Sequence, residues 1–110
     1  MIIYNVTFNV EDSVHDHWRE WMQQHIRQVL ATGLFVKAVF SKVLIEEEMG
    51  VNTYSVQYYA HSKSNIEKYQ AQHAQQLQAQ RLKRFGDKVM TFKTALEFID
   101  EFTVNETLWV

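Results

Sequence analysis

The first ten residues, MIIYNVTFNV, constrain the fold most: Ile2, Tyr4, Val6, Phe8 and Val10 alternate there with Ile3, Asn5, Thr7 and Asn9. A two-residue period sets one row of side chains on each face of a strand, so this chain must bury one face of a sheet and find a use for the other. The alternation returns in VMTFKTALEFI, residues 89 to 99. Between these segments lie FVKAVFSKVLI (35 to 45) and NTYSVQYYAH (52 to 61), rich in β-branched and aromatic residues and joined by the charged, Gly-containing EEEMGV. That pattern predicts a hairpin.

Two helices are predicted between the strands. Val14, Trp18, Trp21, Met22, His25 and Val29 recur at helical spacing behind a capping box, Ser13-Val14-His15-Asp16, and the pattern stops at Gly33. A second box, Ser64-Asn65-Ile66-Glu67, opens a stripe of Ile66, Tyr69, His73 and Leu77, which Gly86 closes. The stretch QAQHAQQLQAQ (70 to 80) has six glutamines, but Gln and Ala are good helix formers and no Pro or Gly interrupts it. It reads as helix rather than as a disordered tract.

The order β-α-β-β-α-β predicts an α+β, ferredoxin-like domain: a four-stranded antiparallel sheet with two helices on one face. A chain of 110 residues with 46% hydrophobic content fits one such domain, placed at 1–102, with 103–110 as a C-terminal extension. Tyr4, Val6, Phe8, Tyr54, Val56, Tyr58, Met90, Phe92, Leu96 and Phe98 are assigned to the helix side. Asn5, Thr7, Asn9, Thr53, Ser55, Gln57, Tyr59, Thr91 and Lys93 are assigned to the other. A sheet face standing in water is usually salted with Lys and Glu, so this nearly uncharged one is expected to lie against the same face of a second copy. Leu108, Trp109 and Val110 are expected to pack on this subunit or its partner.

Charge and composition narrow the partners. A net charge of −2 creates no global field toward nucleic acid or an anionic membrane, and the chain has no cysteine for disulfides or thiol chemistry. With no h-region and no apolar run of the roughly 20 residues that a membrane helix needs, a cytoplasmic protein without membrane or nucleic-acid partners is expected. RNA-recognition domains share the element order, but TYSVQY lacks their basic-Gly pair and ordered aromatics.

The histidines are the best clue to chemistry. His25 falls inside the stripe of Trp18, Trp21 and Val29, and His73 falls between Ile66, Tyr69 and Leu77, so both are expected to point inward. Each is either a core histidine bonded to a carbonyl or tyrosine hydroxyl, or, within a cavity between helices and sheet, a general base or a ligand to haem iron. Trp18, Trp21, Tyr54 and Tyr58 are the expected lining for a small apolar or aromatic ligand. His15 and His17 point to opposite sides of a helix, and His17 and His25 are about 12 Å apart along it, so no metal site is expected. Arg81, Lys83, Arg84 and Lys88 read as cations that complement a helix C-terminus.

The segments WREWMQQHIRQVLATGLF (18 to 35), MGVNTYSVQYY (49 to 59) and RFGDKVMTFKTALEF (84 to 98) resemble a small bacterial family of unknown function. With the first strand they cover nearly the whole chain. The resemblance implies the fold of the dimeric α+β barrels, a group that includes cofactor-free monooxygenases, haem-degrading monooxygenases and many proteins with no assigned activity. It carries over no catalytic residue. Haem-degrading members use an Asn on the first strand, a Trp that ruffles the porphyrin and a His on the second helix. Asn5 and His73 match two of these places, no Trp fills the third, and the face assignment sets Asn5 away from the helices. The expected function is a small-molecule-binding or structural homodimer without a cofactor. A cofactor-independent or haem-dependent monooxygenase-like enzyme is the alternative.

Overall fold

The computed structural model describes residues 1–44 and 50–104. Strand β1 (Ile2–Glu11) leads through a short 3-10 turn (Asp12–Val14) into helix α1 (His15–Ala31), followed by β2 (Lys37–Lys42) and β3 (Val51–Ala60). Helices α2 (Lys63–Gln72) and α3 (Ala74–Phe85) come next, and a second 3-10 turn (Gly86–Lys88) leads into β4 (Val89–Glu97). The strands form one antiparallel sheet in the order β2-β3-β1-β4. This is the ferredoxin-like α+β arrangement, with β1 and β3 at the centre because their long apolar rows need cover on both sides. The centre of the hairpin loop (45–49) and the end of the chain, including Leu108, Trp109 and Val110, lie outside the described residues. No helix among the described residues is long and apolar enough to cross a membrane.

Three local expectations change. The box at Ser13 does not form: Val14 is the N-cap of α1 without a side-chain bond, because the 3-10 turn occupies Asp12–Val14. The second cap is Ser62 rather than Ser64, its hydroxyl accepting from the Asn65 amide at 3.3 Å. The expected second helix is two helices, broken at His73 where φ is −129° and ψ −35°. The bend loses no hydrogen bond at this residue, since the His73 amide donates to the Tyr69 carbonyl at 2.9 Å and its carbonyl accepts from Leu77 at 3.2 Å. At Gly86 φ is +59°, a left-handed turn that lets the chain leave α3 and reverse into β4.

The register decides the faces. Tyr4 pairs with Tyr58 and Ala95, Val6 with Val56 and Lys93, Phe8 with Tyr54 and Thr91, and Val10 with Val89. These rows face the helices, and Tyr4, Val6, Phe8, Val10, Tyr54, Val56 and Tyr58 are all buried. Strand β4 therefore corrects the assignment made from alternation: Thr91 and Lys93 lie on the helix side, and Met90, Phe92 and Leu96 lie on the open side beside Asn9, Thr7 and Ile3. Periodicity fixes that residues alternate but not which set points in, and as an edge strand β4 takes its phase from pairing with β1.

Candidate functional site

The shifted phase of β4 creates the site. Where a fourth apolar row would have filled the space under α3, the sheet offers Thr91 and Lys93, and α3 answers with the small Ala74 and the polar Gln78 and Arg81. A cleft results. It is lined by Tyr4, Val6 and Phe8 of β1, Tyr58 of β3, His25 of α1 and Tyr69 of α2, together with those β4 and α3 residues. It is open to solvent on one side, and its water-accessible volume is about 40 Å³, room for a few waters.

His25 is 9% exposed, and its Nδ1 is buried without a hydrogen-bond partner among the described residues. Its ring stacks on Trp21, centroids 4.7 Å apart and planes 22° from parallel, and Trp21 in turn meets the edge of Phe85 at 5.3 Å. Burial first, and the Arg81 charge second, hold the His25 pKa down at about 4, so the imidazole is neutral at pH 7. Arg81 is 5% exposed, and Nη1 donates to the Val89 carbonyl at 3.1 Å, which ties α3 to the first residue of β4. Burial lowers its pKa. The Lys93 pKa is also lowered, by desolvation and then by Arg81. Burial raises the Tyr69 pKa to about 12 and pushes Tyr58 up further, so both hydroxyls keep their protons.

The sequence-predicted residues divide between this cleft and a packed region. His25 and Tyr58 both line the cleft. Trp21 is half-buried behind His25. Trp18 is fully buried, its ring 5.3 Å from Phe8, 5.0 Å from Tyr54 and 6.0 Å from Phe40, with Nε1 unpartnered among the described residues. Tyr54 lies in that packed cluster, its hydroxyl 2.7 Å from His15 Nε2 and accepting from Arg19 at 3.1 Å. His73 is half-buried at the α2–α3 break, stacked over Tyr69 at 6.3 Å, and is not among the cleft residues. Asn5 lies on the open side of the sheet, where its Oδ1 accepts from Ser55 at 2.7 Å. Among the described residues no group of three or more His, Asp or Glu side chains could hold a metal ion.

Arg81, Lys93, Tyr4 and Tyr69 are site residues that the sequence reading missed. Arg81 continues the stripe from Leu77 to Phe85 in steps of four, which a helical wheel shows directly. Its place in a basic cluster near the helix end hid that signal. Lys93 carried no such signal, since only the pairing of Val6 with Lys93 places it on the helix side.

Comparison with solved structures supports the fold over nearly the full length. A dimeric ferredoxin-like protein from an uncultured marine organism matches with a TM-score of 0.64 at 15% identity, over 94% of this chain and 100% of that one. A protein named an antibiotic biosynthesis monooxygenase, from Deinococcus radiodurans, matches with a TM-score of 0.60 at 15% identity, over 96% and 99%. SnoaB, a cofactor-independent oxygenase from Streptomyces nogalater, matches with a TM-score of 0.61 at 8% identity, over 91% and 95%. These identities speak for the fold alone. No curated protein matches the sequence. A family model does match, across residues 1–99, and on that match the chain belongs to the family described as Domain of unknown function (DUF4286).

Proposed function

We propose that this protein is a cytoplasmic homodimeric α+β barrel domain that binds a small molecule in the cleft between its helices and its sheet. The observation that carries the proposal is His25, nine-tenths buried at the cleft with its Nδ1 unpartnered among the described residues. A buried imidazole nitrogen without a partner costs about 1–3 kcal/mol, and a ligand in the cleft removes that cost.

The open face supports the dimer. Its middle is polar but satisfies itself: Ser55 donates to Asn5 at 2.7 Å, Thr53 to Asn9 at 2.9 Å and Tyr59 to Gln57 at 3.3 Å. Its margins are apolar and exposed, Val39 on β2 at 40%, and Met90, Phe92 and Leu96 on β4 at 58%, 52% and 40%. A two-fold axis through such a face sets apolar margin against apolar margin. One structural neighbour is itself described as dimeric. The cysteine-free composition suits a reducing compartment, which supports cytoplasmic action.

A specific observation favours a second reading, a cofactor-independent oxygenase. His25 is neutral at pH 7, so its ring can accept a hydrogen bond from an acidic substrate, while the Arg81 guanidinium in the same cleft stabilises the anion that forms as the proton leaves. Haem does not fit these residues. Asn5 lies on the opposite side of the sheet from the helices, and His73 is outside the cleft.

A native mass spectrum of protein purified from its host tests assembly and ligand together. A dimer carrying added mass is the expected result. A monomer overturns the dimer, and a dimer that stays bare and takes up no small molecule on incubation overturns the binding reading. Oxygen uptake with electron-rich phenols, lost in His25→Phe, separates the oxygenase from a passive binder.

A further inference from the structure

We propose that the cleft takes an organic anion: a flat apolar body carrying one carboxylate, which engages the Arg81 guanidinium and the Lys93 ammonium. The inference rests on the reading of the cleft as a binding site and adds the chemical class of its occupant.

The charge balance of the lining is its first support. Arg81 and Lys93 are both cleft residues, and no Asp or Glu is among the residues lining it. Neither cation forms an ion pair among the described residues, where one His–Asp contact, His15 with Asp16, is the sole bridge. For Arg81, which is 5% exposed, lacking a counter-charge is expensive, and an arriving anion would complete it, with the more exposed Lys93 beside it adding attraction rather than a buried charge. Glu67 lines an adjoining groove with Lys63 and Lys93, and no ion pair joins it to either among the described residues.

The donor geometry is the second support. Arg81 spends one N–H on the Val89 carbonyl, its single hydrogen bond among the described residues, and a guanidinium has five N–H donors in a fork that fits a carboxylate. The backbone bond fixes the fork in place. Lys93 contributes a mobile ammonium from the sheet side, and its charge form is disfavoured by burial and by Arg81, both of which a bound anion would offset. The Tyr58 and Tyr69 hydroxyls, held protonated, are further donors, and the neutral His25 avoids a third cation.

The walls give the rest of the ligand its shape. Tyr4, Phe8, Tyr58 and Tyr69 present rings and Val6 and Ala74 present methyls, so a bare inorganic ion would leave most of the lining unused.

Benzoate and benzamide, alike in size and flatness and different in charge, make the test. Each is titrated into the full-length protein at neutral pH and low salt, with the Trp21 indole resonance beside His25 as the reporter. Benzoate is expected to bind about tenfold tighter than benzamide, and Lys93→Gln and Arg81→Gln are each expected to abolish that preference. Equal binding of the two probes overturns the anion and leaves the cleft standing as a site. Binding of neither overturns the cleft as a site, and with it both readings. If Arg81→Gln does not fold, Lys93→Gln decides alone, because Lys93 lies exposed on an edge strand; a benzoate preference that survives it overturns the proposal.

Discussion

Helix α1 carries two histidines in unlike surroundings. At its start, His15 Nε2 lies 2.7 Å from the Tyr54 hydroxyl, which also accepts from Arg19, and His15 Nδ1 faces Asp16 at 3.6 Å. Further along, His25 has Tyr58 as a cleft neighbour but an unpartnered Nδ1. Both tyrosines come from β3, four residues apart on the same side of the strand, so the strand offers the same residue twice. What differs is the filling around them. Trp18, Phe8 and Phe40 pack the first tyrosine, and Thr91, Lys93 and Ala74 leave space at the second. A bonded pair in a full core acts as structure, and an unbonded one at a cleft is available to something else. Trp18 Nε1 departs from this division, being buried in the packed region with no hydrogen-bond partner among the described residues.

The comparison can be broken first at its packed end. Trp18→Ala should cost about 3–5 kcal/mol in chemical denaturation, because it empties a fully buried site with aromatic neighbours on three sides. A loss below about 1 kcal/mol would mean that this end is not the tightly filled core described.

The cleft end should show itself through pH. The unfolded chain protonates His25 near 6.5 while the folded one resists until about 4, so the unfolded state binds the extra proton as pH falls. Stability is unaffected by this residue above about pH 6.5 and declines between there and about pH 4, by up to about 3 kcal/mol. His25→Phe should flatten that part of the stability profile, read from urea midpoints at successive pH values. An unchanged slope would show that His25 finds a partner when folded.

The smallest effects sharpen the contrast most directly. Tyr54→Phe removes a hydroxyl bonded to both His15 and Arg19 and should cost about 1–2 kcal/mol, whereas Tyr58→Phe, with no hydrogen bond to lose among the described residues, should change stability by less than about 0.5 kcal/mol. Equal losses would erase the distinction between the two tyrosines.

Much of this was legible in the sequence, and the gaps have physical causes. The rows of β1 and β3 were readable because each alternates apolar with polar residues over its full length, and the turn glycines Gly33 and Gly86 both take positive φ. His25 was readable because its helix has one apolar stripe. Strand β4 misled because both of its rows contain apolar residues, and only pairing with β1 sorts them. The break at His73 had no Gly or Pro to announce it. Arg81 was hidden by its type: a cation is expected in solvent, and nothing in a linear sequence shows that a backbone carbonyl waits for it inside.

Parity in β4 has one more consequence. Met90, Phe92 and Leu96 serve one side of the sheet and Val89, Thr91 and Lys93 the other, and the tie from Arg81 to Val89 together with the pairing of Val10 with Val89 sets where counting starts. Deleting or inserting one residue in the Gly86–Lys88 turn would exchange the two sets, turning the apolar stripe inward and the lysine out. A change of two residues would keep each set on its own side. Length variation in this turn should therefore be tolerated in even steps and not in odd ones.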